Sequence, residues 1–214
     1  SSDMQTDRIG ILYSLPSAYA AKVQASPSFG SYESNHAAFH HALREIGLNF
    51  RYFTDRQMRL GEIDLSTFQA ILLPMTQAMS EQEAEMLRAY VRNGGLLIAD
   101  VRPAIYDGHV KPLAAGQLDD VFGVKRTGFA EALVSNGTVT VLAADGKPQP
   151  LDLPNVRIDA GVQATNASAS GSAGQVPLVL HNGFGKGHAM LLNLAMSGFP
   201  GLNSPSTPEA AAQL

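Results

Sequence analysis

The sequence contains no cysteine. This absence excludes a disulfide framework, a thiolate nucleophile and a zinc site with cysteine ligands. A Gly-x-Ser-x-Gly motif is also missing, so the nucleophile elbow of serine hydrolases is not present. The Lys and Arg residues form no cluster and the formal net charge is -4, which argues against a nucleic-acid partner. The apolar runs are too short to cross a bilayer, so we expect no membrane partner either.

The composition is that of a globular protein. Hydrophobic residues make up 45% and charged residues 16% of the 214 residues, enough for one generous α/β domain with a real core. We expect residues 1–202 to form this single domain and residues 203–214, which contain prolines and a run of alanines, to be a linker or tail. The chain does not begin with Met and has no leader before the first strand, so we expect a soluble piece of a larger protein, with tag residues at Ser1 and Ser2. The compartment stays unknown at this point, with the cytoplasm slightly favoured.

The first hundred residues alternate between short apolar runs and segments with helical apolar spacing. The apolar runs predict buried parallel strands, and a capping box formed by Ser80 and Glu83 predicts the start of a helix. The predicted strands lie at residues 8–14, 50–53, 68–74 and 96–99, and the predicted helices at 32–46 and 81–92. This alternation predicts a flavodoxin-like, doubly wound, mostly parallel sheet with helices on both faces.

The pattern changes beyond Gly128. Residues 138–142 alternate with period two before an Asp-Gly turn, and residues 177–182 can pair with 189–194 across a glycine-rich turn. We therefore predict a β-rich hairpin region from about residue 128 to 195. Residues 166–174 are small and of low complexity, so we predict a flexible loop there.

Two motifs suggest ligands but are better explained by local structure. His36 and His40 have the i, i+4 spacing of helical metal ligands, yet no third ligand can be identified. The glycine-rich segment 183–187 has a Lys, but a strand follows it where a phosphate loop requires a helix. We therefore expect no metal and no cofactor.

Ligands of open α/β sheets bind at the carboxyl ends of the strands. This rule nominates Tyr13, Thr76, Asp100 and Arg102 as ligand-binding candidates. Asp100 and Arg102 can either hold a polar ligand together or pair with each other at the sheet edge. No set of catalytic residues can be assembled from this sequence.

Three segments together carry a family resemblance. They are FHHALREIGLNFRYF (residues 39–53), FQAILLPMTQAMSEQEAEMLRAYVRNGGLLIADV (68–101) and VPLVLHNGFGKGHAMLLNL (176–194). The chain resembles the class I glutamine-amidotransferase-like superfamily, and most closely the noncatalytic middle domain, or trimerisation domain, of family 42 β-galactosidases and related glycoside hydrolases. In the amidotransferases a nucleophilic Cys occupies the position matched here by residues 99–102, and this sequence has no such nucleophile.

The resemblance implies a noncatalytic structural or oligomerisation domain of a larger, carbohydrate-active bacterial protein. Its partners would be other domains of the same polypeptide or further copies of the chain. Two alternatives stay open: a domain that binds a small ligand or sugar at the strand ends, and an unrecognised hydrolase that uses His and Asp. Several apolar residues outside the predicted core could form an interaction surface: Phe122, Val124, Phe129, Leu133, Met196, Phe199 and Leu202.

Overall fold

The computed structural model of the protein describes residues 8–23, 29–129, 131–143 and 145–198. The predicted tag residues and the predicted tail at 203–214 lie outside the described residues. The strands are β1 (Ile9–Tyr13), β2 (Arg51–Thr54), β3 (Ala70–Leu73), β4 (Leu96–Ala99), β5 (Val124–Arg126), β6 (Leu133–Leu142), β7 (Pro148–Ile158), β8 (Val162–Ala164), β9 (Ser168–Ala173), β10 (Val176–Phe184) and β11 (Gly187–Leu192). The helices are α1 (Leu15–Val23), α2 (Tyr32–Glu45), α3 (Asp55–Arg59), α4 (Glu81–Arg92) and α5 (Asp119–Phe122).

Nine of the described strands form one mixed sheet in the order β2-β1-β3-β4-β11-β10-β9-β6-β7. The pairs from β2 to β11 are parallel, and every pair from β11 to β7 is antiparallel. The prediction of a flavodoxin-like, mostly parallel, doubly wound sheet is therefore wrong. The physical reason is that short turns join β6 to β7, β9 to β10 and β10 to β11, and strands joined by short turns lie antiparallel, because parallel neighbours need a long crossover connection. β5 and β8 form a separate two-stranded sheet.

The described helices pack on both faces of the parallel part of the sheet. On one face, Leu87 and Val91 of α4 join a core cluster with Leu12, Ile71 and Leu97 of the strands. On the other face, α2 contributes Phe39 and Leu43, which pack against Ile11 and Leu72. The alternation of side chains along β1, β3 and β4 supplies both clusters. The antiparallel strands have a cluster of their own, which includes Val139, Leu153, Val156, Ile158 and Leu178.

Local sequence signals set the ends of the two longest helices. Ser80 Oγ accepts a hydrogen bond from Glu83 N at 3.2 Å, and Glu83 Oε2 accepts one from Ser80 N at 2.8 Å. This is the predicted capping box, and α4 begins at the predicted residue. Ser31 and Ser34 form an equivalent box at the start of α2. The helix predicted at 32–46 is thus confirmed to within one residue.

Glycines shape the hairpin between β10 and β11. The turn consists of Gly185, which has a φ of +63°, and Lys186, and Phe184 pairs with Gly187. A side chain at Gly187 would collide with the backbone carbonyls of Val91 and Gly95, so only glycine allows β11 to approach α4 this closely. The predicted hairpin is present, and the glycine-rich segment is its turn.

The prediction of a flexible loop at 166–174 is wrong, because residues 168–173 form β9. This strand is paired on both sides, with β10 and with β6. A side chain at Gly171 would collide with Val139 on β6, so the small residues that suggested a loop instead permit close strand packing.

Candidate functional site

The carboxyl ends of β1, β3 and β4 are covered by α1. Ala18 of this helix packs with Val101, which follows β4, and Ala20 packs with Ala78 and Ile105. The inward face of α1 consists of small side chains, so the helix lies close to the strand ends. α1 therefore occupies the region in which an α/β sheet usually binds its ligand.

Buried hydroxyl groups hold α1 in this position. Ser17 Oγ donates to the carbonyl of Ala78 at 2.9 Å and accepts from the Ala78 N–H at 3.0 Å. Ser14 Oγ donates to Ser17 Oγ at 2.8 Å. Ser14 and Ser17 are both almost fully buried, and their hydrogen bonds satisfy backbone groups of the loop after β3 that water would otherwise have to solvate.

Asp100 is fully buried directly after β4. Its Oδ1 accepts a hydrogen bond from Met75 N at 2.6 Å, while Oδ2 has no hydrogen-bond partner. Burial raises the pKa of the Asp100 carboxyl well above its usual range, against the opposing effect of the Met75 hydrogen bond. The protonated form is thereby favoured, and the carboxyl is internal to the fold.

Arg102 is also buried, and it pairs with Asp159. Arg102 Nε donates to Asp159 Oδ2 at 2.9 Å, and the guanidinium lies 4.7 Å from the ring centroid of Phe29. Asp159 Oδ2 also accepts from Arg126 Nη1 at 3.2 Å, and Arg126 Nε donates to Asp119 Oδ1 at 3.1 Å. Two arginines and two aspartates thus form one buried, charge-balanced network.

Sequence reasoning did not identify three members of this network. It offered Asp100 as the partner of Arg102, whereas the structure pairs Arg102 with Asp159, which is 57 residues away in the sequence. Asp159 follows β7, and Asp119 and Arg126 lie in α5 and β5. No local pattern could have joined Arg102 to Asp159, because their proximity depends on pairings between strands that are distant in the sequence.

The other two candidates lie in different environments. Thr76 is fully buried, and its carbonyl accepts from Ala104 N at 2.9 Å. Tyr13 is 43% exposed and packs edge-on against Tyr32, with ring centroids 5.6 Å apart. Of the four candidates, three are therefore internal and only Tyr13 reaches the surface. Their role in ligand binding stays a prediction.

A surface cavity of about 740 Å³ lies near the opposite ends of the strands. Phe68 and Gln69 at this cavity precede β3, and Gly94 and Gly95 precede β4. The aromatic residues that line it, Phe68 and Tyr90, are buried. The cavity includes none of the four predicted residues.

His36 lies in an aromatic cluster. Its ring is 4.3 Å from that of Tyr32 and 5.7 Å from that of Tyr13. Burial lowers the pKa of His36 to about 4. His40 lies 5.0 Å from the ring of Phe50. Within the described ranges, no group of three or more His, Asp or Glu side chains is placed to share a metal ion.

The apolar residues predicted to form an interaction surface differ in their exposure. Phe129 is 50% and Leu133 is 43% exposed, whereas Phe122 and Val124 are buried in the core. Met196 is partly buried against the core. Phe199 and Leu202 lie outside the described residues. No described helix has the length and apolar character needed to cross a membrane.

The chain folds into an α/β domain with a mixed sheet. Its strand ends are covered, and an internal polar network lies where other α/β sheets have an open crevice. A family model described as the β-galactosidase trimerisation domain matches residues 7–198. The chain therefore belongs to the family of β-galactosidase trimerisation domains, as the sequence resemblance indicated. No curated protein matches the chain. The wider amidotransferase relationship stays a resemblance.

Solved structures show the same fold. β-Galactosidase from Bacillus circulans sp. alkalophilus aligns with a TM-score of 0.72 and 18% identity over 88% of this chain and 28% of its own. For β-galactosidase from Rahnella sp. R3 the TM-score is 0.70, with 20% identity over 90% of this chain and 30% of its own. The exo-β-1,4-mannosidase Op5Man5 from Opitutaceae bacterium strain TAV5 has a TM-score of 0.59, with 14% identity over 89% and 32%. The chain thus spans about a third or less of each of these proteins.

Proposed function

We propose that this chain is a noncatalytic oligomerisation domain of a larger, carbohydrate-active, multidomain protein. The family membership supports an assembly role, and the chain's partners would be further copies of itself or neighbouring domains of the same polypeptide. We also propose that residues 1–202 act as one domain and that residues 203–214 act as a linker or tail.

The observation that carries the proposal is the position of α1 over the strand ends. Thr76 and Asp100 lie beneath the loops and helix at this end, and Arg102 is engaged by Asp159. A catalytic or binding group needs access to its substrate, and these groups are internal. The arrangement supports a structural role for the polar residues that the strand-end rule nominated.

The proposed parent protein is a glycoside hydrolase. Its solved structural relatives are named β-galactosidases and an exo-β-1,4-mannosidase, and this chain matches less than a third of each of the first two. Glycoside hydrolysis requires a pair of carboxyl groups on opposite sides of the scissile bond. We propose that this pair lies outside the present chain.

Two measurements test the proposed function. Light scattering on the chain and on the longer protein that carries it should find an oligomer in at least the longer protein, and monomers in both cases would overturn the proposal. The chain alone should hydrolyse neither glutamine nor a β-galactoside. Turnover of either substrate that a substitution at Asp100 abolishes would show a catalytic domain instead.

Sugar or small-ligand binding at the strand ends is the alternative, and the exposure of Tyr13 is the one observation that favours it. If a ligand binds there, crystals soaked in galactose should show density over Tyr13 and residues 75–77 or 100–102. Density confined to the hairpin half of the chain would contradict this alternative.

A further inference from the structure

Two histidines and a methionine lie on one face of the β10–β11 hairpin. His181 of β10 pairs directly with Met190 of β11, and His188 precedes Met190 by two residues on the same strand. Residues opposite each other on paired strands, and residues two apart on one strand, have their side chains on the same side of the sheet. His181, His188 and Met190 therefore share one face, and we refer to them as the His–Met cluster.

The spacing within the His–Met cluster suits a shared ligand. Side chains directly opposite each other on antiparallel strands, as those of His181 and Met190 are, have Cβ atoms about 5 Å apart. Residues two apart on one strand, such as His188 and Met190, are separated by about 7 Å along it. Imidazole and thioether side chains can reach a common point over these distances, so one ion can contact all three.

The cluster borders a surface cavity of about 320 Å³. Gly183 lies opposite His188 in the hairpin, and a side chain at Gly183 would meet nothing within 4 Å. The hairpin thus has open space beside His188 where a paired side chain ordinarily stands. His181 and His188 are exposed and Met190 is half-buried, so an ion from solvent can reach the three donors.

The chemistry of the donors selects the kind of ion. Imidazole nitrogens suit copper, zinc, iron and nickel, whereas a thioether sulfur is a soft ligand that favours monovalent copper. None of the described residues that line the cavity has a carboxylate, so it lacks the charged oxygen ligands typical of Ca²⁺ and Mg²⁺ sites. Zn²⁺ sites use Cys, His, Asp and Glu, and the cluster offers only two such ligands. Two neutral nitrogens and one sulfur therefore favour Cu⁺.

We propose that His181, His188 and Met190 form a binding site for monovalent copper. Within the described ranges no three His, Asp or Glu side chains are grouped for a metal ion, and here the thioether of Met190 supplies the third donor. The site is independent of the proposed oligomerisation function. It also differs from the helical pair of His36 and His40, because His36 is buried among aromatic rings.

Ser170 of β9 contacts the ring of His181. Its Oγ lies 3.1 Å from His181 Nε2. When the Nε2–H donates to this hydroxyl oxygen, the lone pair of the imidazole lies on Nδ1, which is then the nitrogen available to the ion. Histidine ligands of metal ions ordinarily have such a hydrogen-bond partner for their second nitrogen. His181 thus has the surroundings expected of a metal ligand.

Titration with Cu⁺ tests the site directly. The chain contains no cysteine, so no thiolate of its own competes for the ion. Under nitrogen, with ascorbate to keep the copper monovalent, the chain should remove one Cu⁺ ion from its coloured complex with bicinchoninate. His181→Gln, His188→Gln and Met190→Leu should each weaken this binding by about tenfold or more, since loss of even an outer partner of a metal ligand has an effect of that size.

Met86→Leu and His109→Gln are the matched controls. Met86 is half-buried like Met190, and His109 is exposed like the two histidines of the cluster. Neither residue borders the cavity, so both variants should bind Cu⁺ as the wild type does. All the substituted side chains are at least partly exposed, and we expect every variant to fold.

Methyl spectra with Ag⁺ give a second measurement, because Ag⁺ is redox-stable and shares the preference of Cu⁺ for soft ligands. With ¹³C-labelled methionine methyl groups, one equivalent of Ag⁺ should shift the signal that is missing from Met190→Leu. A chain that takes up no Cu⁺, or binds it equally well in the cluster variants and the controls, would overturn the proposal. Binding that needs both histidines but is unchanged in Met190→Leu would also overturn it, since the thioether would then not be a ligand.

Discussion

Arg102 and Asp159 are joined by a buried ion pair, with Nε and Oδ2 2.9 Å apart, although 57 residues separate them in the sequence. Arg102 follows β4 in the parallel part of the sheet, and Asp159 follows β7 at the antiparallel edge. Asp159 also binds Arg126, and its carbonyl accepts from Asn193 after β11 at 3.0 Å. This residue therefore connects the two halves of the domain.

We expect Asp159→Asn to destabilise the domain by about 3–5 kcal/mol, because it leaves the buried charges of Arg102 and Arg126 without their shared partner. Urea unfolding followed by circular dichroism measures the effect. Lys147→Met is the control, since Lys147 and its partner Asp145 are both exposed and such surface pairs add little to stability. Equal effects of the two substitutions would show that burial of the network does not matter for stability.

Gly187 and Gly183 provide a matched pair for testing the approach of β11 to α4. Gly187→Ala should cost roughly 2 kcal/mol or more, because its new methyl group meets the backbone carbonyls of Val91 and Gly95. A side chain at Gly183 meets nothing within 4 Å, so Gly183→Ala should leave the free energy of unfolding nearly unchanged. If both variants unfold at the same urea concentration, backbone contact does not explain the glycine at 187.

The elements that the sequence predicts well are those with a local signal. α4 has its capping box, and the β10–β11 hairpin has its glycine-rich turn. α1 was missed because its large apolar residues face outward, so that the usual relation between apolar spacing and burial is inverted. β9 was missed because its small residues are needed for packing between two strands and carry no strand propensity.

Prediction of the site was limited for a different reason. The strand-end rule identified Tyr13, Thr76 and Asp100 as residues that end or follow parallel strands, which they do. It could not predict that α1 covers these ends, because α1 itself was not predicted. It also could not provide Asp159 as the partner of Arg102, since that contact depends on pairings between distant strands.

His36 should make the stability of the domain sensitive to acid. Its pKa is about 4 in the folded protein and about 6.5 when exposed, so the unfolded state binds the proton more tightly. The full stability is present above pH 6.5 and is lost as the pH falls toward 4, with a contribution of about 3 kcal/mol from this residue. His36→Phe should remove this part of the pH dependence in urea unfolding, whereas His188→Gln, on an exposed sheet position, controls for loss of a histidine. Parallel curves for wild type and His36→Phe would exclude this role.

Asp100 should have the opposite dependence on pH. Burial raises the pKa of its carboxyl in the folded state, so the folded protein holds the proton while the unfolded chain releases it near pH 4. The contribution of Asp100 to stability is therefore fully present below the unfolded pKa and is lost as the pH rises toward the folded value.

Asp100→Asn separates this charge effect from the hydrogen bond. The amide keeps an oxygen that can accept from Met75 N, the bond of 2.6 Å in the wild type, and it has no charge to lose. We expect the free energy of unfolding of the variant, relative to wild type, to rise as the pH increases from 4 to 8. Urea unfolding at each pH measures this difference, and Asp100→Ala, which also removes the acceptor, should be less stable than Asp100→Asn at every pH. A variant that loses stability relative to wild type as the pH rises would show that Asp100 is ionised in the fold, and would reassign it as the buried partner of a positive charge.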